Sequence, residues 1–298
     1  MNYLGCLFTS RLLIIHLNMK QFLLFVFLCL TTNLLFSQDN PNVNRDKPFI
    51  LGKIVEIESN VLSEKRILNI YLPNDYNAND TTHYPVIYLL DGSADEDFIH
   101  IVGLVQFLNF PWINVVPNSI VVGIANVDRR RDFTYPTTIA KDKKDYPTTG
   151  KSERFIEFLE RELQPYIDKN YKTNTARTII GQSLGGLLAT EILFKKPYLF
   201  TNYVIVSPSL WWDNESLLAY QPVVLQPGFK KQISVFVAVG KEGKIMEGDA
   251  MKLVSMLRSR HDKKIQVAFE RFTNENHASI LHNAVYKGFE TIYKKQGK

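Results

Sequence analysis

The chain has 298 residues, 45% hydrophobic and 22% charged, a balance that suits one large folded domain or two small ones and excludes a disordered tail. Its formal charge is +5, but Arg11 and Lys20 are the only charges before Gln38, which leaves +3 on the remainder. Acidic residues are interleaved with the basic ones nearly everywhere, so no element gathers the lysines and arginines of a nucleic-acid footprint.

From Met19 the chain reads MKQFLLFVFLCLTTNLLFSQ: a positive residue, an uncharged apolar run from Phe22 to Leu30, then polar residues and Ser37 before Gln38. This is the layout of a signal peptide over residues 1–37, with Met19 as an alternative start, and it predicts an exported protein. Thr31, Thr32 and Asn33 break the run short of the roughly 20 apolar residues a spanning helix needs, so no stable membrane anchor is expected. Val26, Phe27 and Leu28 before Cys29 lack the small residue of a lipoprotein cleavage site. Both cysteines, Cys6 and Cys29, fall in this segment. A chain processed at Gln38 would hold no thiol, which removes disulfides, cysteine zinc sites and cysteine nucleophiles.

After a polar linker (38–47), apolar segments rich in β-branched residues recur: Phe49 to Ile57, Arg66 to Leu72, Pro85 to Leu90, Ser119 to Ala125, Thr178 to Ile180, Tyr203 to Val206, Ile233 to Val239 and Ile265 to Phe272. The first two read as an antiparallel lead-in. From the third onward the runs are nearly continuous in apolar residues and several are separated by helical patterns, the signature of buried parallel strands in an α/β sheet. The clearest helix begins near Ser152, a candidate N-cap, and places Phe155, Phe158, Leu159, Leu163, Tyr166 and Ile167 on one face. Pro165 within it predicts a kink or an early end. With no internal repeat or second linker, residues 48–298 are expected to form one domain. The long polar connection from Asn126 to Lys151 follows a strand end, where loops of that length tend to be functional.

The run RTIIGQSLGGLLATEILF sets Gly181, Ser183 and Gly185 in a G-x-S-x-G frame between a short strand and an apolar helix starting near Leu184. That is the context of a nucleophile elbow, in which a strained turn lifts the serine Oγ clear of the sheet and the close strand–helix approach leaves no room for flanking side chains. A serine hydroxyl needs a base and a third group to orient that base. Among the histidines, His16 leaves with the signal, His83 precedes the third strand, His100 lies in a helical pattern and His261 in a charged run. His277, in the loop NENHAS after the last strand, occupies the place a chain-order Ser, acid, His triad requires, while His282 lies inside the following helix pattern. The acid should follow ISVFVAVG, where Glu242, Glu247 and Asp249 compete. Glu242 is nearest the strand end, whereas the other two suit the start of the next helix. Two N–H donors for an oxyanion are expected from the Leu184 amide and the Ser93 amide, the latter in the loop VIYLLDGSADEDF, where Gly92 permits a tight turn and Asp91 fixes it. No H-E-x-x-H, helical histidine pair, phosphate loop or G-x-G-x-x-G after a strand is present, so neither a metal nor a nucleotide cofactor is expected.

YLLDG, GIANVDRRRDFTYP, FIEFLERELQPYI, GQSLGG, VSPSLWWDN and the late NHAS together resemble the putative-esterase (esterase D-like) family of α/β hydrolases, nearest its trilactone siderophore esterase branch. The resemblance covers about Asp46 to the C-terminus. It implies an α/β-hydrolase fold, a mostly parallel eight-stranded sheet with helices on both faces, with Ser183 as nucleophile, His277 as base and the Ser93 amide as second oxyanion donor. It leaves the acid open, since some siderophore esterases work with a Ser and His pair. The expected partner is a small-molecule ester: siderophore-type, feruloyl or acetylated-sugar. Acyl transfer and a non-catalytic binding module on the same fold are the alternatives. Trp211 and Trp212 could stack an aromatic or sugar group, and Arg129, with its neighbours in the long connection, could attract an anionic ligand. The competing readings are a tryptophan pair closing the core and a solvated loop shaped by an Arg131–Asp132 pair.

Overall fold

Side chains along a strand alternate between the two faces of a sheet, and here both faces are buried. On β3 (Tyr84–Leu89), Val86 and Tyr88 join one hydrophobic layer and Ile87 and Leu89 the other. The same division runs through β4 (Ile120–Ile124), β6 (Asn202–Val206) and β7 (Ile233–Gly240). Strands buried on both sides lose the polar alternation of a half-exposed sheet, which is why these segments read as continuous apolar runs. The computed structural model describes residues 47–259 and 264–293. The signal-like segment with Cys6 and Cys29, all of the linker before Lys47, and His261 lie outside them.

The remaining strands are β1 (Lys53–Ser59), β2 (Glu64–Tyr71), β5 (Thr173–Gln182) and β8 (Ile265–Phe272). All eight form one sheet in the order β1-β2-β4-β3-β5-β6-β7-β8. The lead-in strands pair antiparallel, from Lys53 opposite Ile70 to Ser59 opposite Glu64, and β2 meets β4 antiparallel. Every pairing from β4 through β3 to β8 is parallel. The first strand begins at Lys53 rather than Phe49, and β5 is longer than its apolar centre suggests because its first half carries polar, partly exposed residues. Helices Ser152–Phe158, Gln164–Asn170, Leu184–Lys195 and Lys244–Arg258 cover one face, and Phe98–Leu108 and Leu281–Tyr293 the other. This strand order, antiparallel at β1 and β2 and parallel thereafter, with helices on both faces, is that of an α/β-hydrolase fold. No helix among the described residues is long and apolar enough to cross a membrane.

Two local details go beyond or against expectation. Of the kink or early end expected at Pro165, the early end does not occur. Leu159–Leu163 widens into a π turn in which the Gln164 amide reaches back five residues to the Leu159 carbonyl, and Pro165 sits just past it at the start of Gln164–Asn170. The shifted register spares the carbonyl that the proline ring would otherwise strike. Ser152 is the first helical residue and not the N-cap: its amide donates to the Thr134 carbonyl at 3.0 Å, and its buried hydroxyl has no partner among the described residues.

The long connection after β4 contains two short helices, Arg129–Phe133 and Ala140–Asp145. Its anchor is a charge network around the fully buried Arg66, whose Nη1 donates to Glu64 Oε1 and Asp132 Oδ2, both at 2.8 Å. Arg131 pairs with Asp132 and with Glu64 in the same network. The Arg131–Asp132 pair thus holds the shape of the connection.

Candidate active site

The functional side chains all follow the C-terminal ends of strands, the edge at which open α/β sheets place their sites. Ser183 follows β5. Its backbone takes φ 59° and ψ −118°, a conformation that costs a non-glycine residue on the order of 1–3 kcal/mol. The turn is held from outside: the Ser183 amide donates to the Val206 carbonyl, and the Ser183 carbonyl accepts from the Leu187 and Ser209 amides, each at 3.0 Å. A Cβ on Gly181 would lie 2.3 Å from the Gly185 carbonyl oxygen. Strand and helix therefore touch backbone to backbone beneath the serine. Gly181→Ala is expected to cost about 3 kcal/mol or more, because backbone rather than a flexible side chain must move. A urea-unfolding midpoint close to wild type would contradict this.

Glu242 follows β7 and His277 follows β8, and the two meet. His277 Nδ1 lies 2.6 Å from Glu242 Oε2, while Glu242 Oε1 accepts from Ser207 Oγ at 2.5 Å and from the Gly240 amide at 2.9 Å. The Glu242 side chain is only 3% exposed, that of His277 47%. Burial works to raise the Glu242 carboxyl, but the hydrogen bonds from His277, Ser207 and Gly240 outweigh it and hold the group below the ordinary carboxylate range. An ionised Glu242 makes Nδ1 the protonated ring nitrogen and leaves Nε2 free to accept a proton. Gln182 Nε2 donates to the His277 carbonyl at 2.5 Å and ties the histidine loop to the elbow.

The other candidate acids stand elsewhere. Glu247 Oε1 accepts from the Glu242 and Gly243 amides at 3.1 Å and its Oε2 pairs with Arg271, so it braces the loop that carries Glu242. Asp249 is buried on the Lys244–Arg258 helix beside Lys252.

Ser183, Ser209, Trp211, Lys241, Glu242, Met246 and His277 line one open cleft of about 500 Å³. The two tryptophans separate. Trp211 is 42% exposed on this cleft; Trp212 is 2% exposed, donates its indole N–H to the Tyr135 carbonyl at 2.9 Å and belongs to the core. Trp212 is therefore not a substrate-binding residue. A left-handed turn at Asp213, Asn214 and Glu215 (φ 51°, 54° and 61°) follows the pair. Asp213 Oδ1 fixes that turn by accepting from the Thr138 amide and the hydroxyls of Thr137 and Thr138.

Arg129 also does not line the cleft. Its guanidinium grips Asp91 with two bonds, at 2.6 and 2.8 Å, and reaches the Gln182 carbonyl at 3.2 Å. A bidentate pair of this kind joins the turn after β3 to the nucleophile elbow, and Arg129 is a clamp rather than a ligand for an anion. Asp91, not Gly92, takes the left-handed conformation there (φ 54°). Gly92 is needed because a Cβ on it would lie 2.4 Å from Gly123 Cα on β4. Ser93 follows this turn, and Leu184 opens the helix after the elbow, where the dipole favours negative charge. Neither amide donates a hydrogen bond within the described residues.

Asp97 ends the same loop. Burial foremost, then the nearby Asp91 and Glu96, push its carboxyl up to about 6 in spite of Arg129. A carboxyl raised on folding burdens the folded state only in its charged form. The burden is absent below the ordinary value of 3.8 and complete above about 6. Asp97→Asn is expected to stabilise the protein at pH 8 by about 1 kcal/mol, a figure reduced for the group's partial exposure. The gain should fade as the pH is lowered toward 4, and a pH-independent change in thermal midpoint would refute the assignment.

Sequence reasoning passes over Ser207 and Ser209, which sit in the VSPSLWWDN stretch whose tryptophans are its conspicuous feature. Ser209 Oγ lies 3.3 Å from Ser183 Oγ.

The chain is similar to known proteins over most of its described length. Residues 59–286 match the family described as "Putative esterase". The ferri-bacillibactin esterase BesA of Bacillus subtilis is 30% identical over 238 residues, covering 74% of this chain and 82% of that protein. An IroE-like serine hydrolase from Shewanella oneidensis superposes with a TM-score of 0.74 at 30% identity, over 83% of this chain and 81% of the other. The BES protein from Bacillus cereus gives 0.73 at 30% identity, over 84% and 98%. The chain belongs to this esterase family and is a carboxylic ester hydrolase.

Proposed function

We propose that the protein is an exported serine esterase that opens the ester bonds of a siderophore-type small molecule through an acyl-enzyme on Ser183. The observation that carries the mechanism is the shared cleft: a serine on a left-handed turn and a histidine whose Nδ1 is held by a buried, ionised glutamate. Ser183 Oγ attacks the ester carbonyl carbon as its proton passes to His277 Nε2. The carbonyl oxygen becomes an oxyanion between the Leu184 and Ser93 amides. Collapse breaks the bond to the alcohol, which leaves with the proton from Nε2. Water then attacks the acyl-enzyme by the same route and frees Ser183.

The substrate class rests on the ferri-bacillibactin esterase relative and on the cleft itself, which is open and walled by Trp211 and Met246 as a bulky, partly aromatic ester requires. Export rests on the signal layout of residues 19–37.

The test is hydrolysis of a tris-catecholate trilactone, with and without iron, beside feruloyl and acetyl-sugar esters and in the presence of an acceptor alcohol. Preferential cleavage of the trilactone to free acids is the expected result. Preference for a carbohydrate ester would overturn the substrate class, and transfer to the alcohol would redefine the reaction. A mature protein recovered from the cytoplasm with residues 1–37 intact would overturn export.

A further inference from the structure

Ser207 follows β6 and has no place in the steps above, yet its backbone is as constrained as that of Ser183. Its φ is 41°, in the left-handed region where glycine is the cheap residue. It is fully buried, and its amide is used by the Ala238 carbonyl at 2.8 Å. A serine held in this conformation, with no exposure to solvent, keeps a side chain for which the fold has no other use than the bond its hydroxyl makes. That bond runs to Glu242 Oε1, the oxygen turned away from His277.

We propose that Ser207 is a positioning residue for ester hydrolysis: its hydroxyl fixes the Glu242 carboxylate in the rotation that presents Oε2 to His277. The proposal rests on the reading of Glu242 as the acid. Two fixed donors, Ser207 Oγ and the Gly240 amide, meet on Oε1. A carboxylate held at one oxygen by a single donor swings about that bond; held by two from different directions, it does not. Both donors come from strand ends, β6 and β7, that are hydrogen-bonded neighbours in the sheet, so the carboxylate is fixed to the sheet and not to a loop. The next residues extend the same device. Pro208 closes on the elbow helix, where a Cβ on Gly186 would lie 2.9 Å from Pro208 Cα, and the Ser209 amide donates to the Ser183 carbonyl at 3.0 Å. One three-residue turn thus touches both the acid and the nucleophile's backbone and sets their separation.

The experiment uses the full chain with Ser207→Gly and Ser207→Ala, each alone and combined with Glu242→Ala, on p-nitrophenyl butyrate. Glycine suits the backbone at this position, so Ser207→Gly removes the hydroxyl without strain, and its thermal midpoint serves as the check on folding. The expected result is a loss in kcat on the order of ten- to a hundredfold with KM changed by less than about twofold. No further loss is expected when Glu242 is already alanine, since a residue that acts through Glu242 has nothing left to act on. The proton resonance of the His277 Nδ1–H hydrogen bond should shift in Ser207→Gly while the midpoint holds. A wild-type kcat in Ser207→Gly would overturn the proposal. So would an equal loss with and without Glu242, which marks a merely structural effect. A fully active Glu242→Ala would overturn the acid reading, and this proposal with it, while leaving the Ser183 nucleophile standing.

Discussion

Ser183→Ala is expected to lower kcat for p-nitrophenyl acetate and butyrate by a factor on the order of 10⁴ to 10⁶, and His277→Ala by a similar factor. The double variant should lose little more than either single one. A nucleophile without its base and a base without its nucleophile each leave only the oxyanion donors and binding, so the two losses do not add. The Ser183 backbone is stitched to Val206, Leu187 and Ser209 through main-chain atoms, and alanine keeps every one of those bonds. The variant should therefore fold normally, and a change in rate reads chemistry alone. Wild-type rates in both single variants would remove Ser183 and His277 from the reaction.

Glu242→Ala should lower kcat by about 10² to 10⁴, the range in which the orientation of a general base matters. Glu247→Gln should cost much less. Its carboxylate holds the Glu242 and Gly243 amides and never reaches the imidazole, so a weakened brace loosens the acid without deleting it. Unchanged activity in Glu242→Ala would mean that a serine and histidine pair suffices here. Glu242 also carries a stability signature. Its folded-state carboxyl lies below the ordinary carboxylate value, so its contribution is fully present above that value and is lost as the pH falls through the lowered one. Acid unfolding of Glu242→Gln should accordingly set in less steeply than that of the wild type.

The sheet was legible in the sequence because strands buried on both faces leave a strong, simple trace: unbroken apolar runs bounded by turns. The elbow was legible for a similar reason, since a backbone contact as close as Gly181 to Gly185 permits only glycine. What escaped depends on contacts distant in the chain. Nothing local distinguishes Trp211 from Trp212; what holds Trp212 in the core is its indole bond to the Tyr135 carbonyl, 77 positions upstream. Arg129 reads as a free cation until Asp91, 38 residues away, is brought against it. Pro165 announces a kink or an end but not the π turn that precedes it, because a π turn has no signature in composition. Ser207 and Ser209 are ordinary letters whose meaning comes only from Glu242 and Ser183 arriving beside them.

The strand order has a stereochemical consequence. β5, which Ser183 follows, has β3 with its Ser93 loop on one flank and β6, β7 and β8 with Trp211, Glu242 and His277 on the other. With the Ser93 and Leu184 amides as oxyanion donors and His277 as the base, as proposed, a bound ester would lie across the end of β5 with its carbonyl oxygen toward β3 and its departing oxygen toward His277, so that one prochiral face of the carbonyl would meet Ser183.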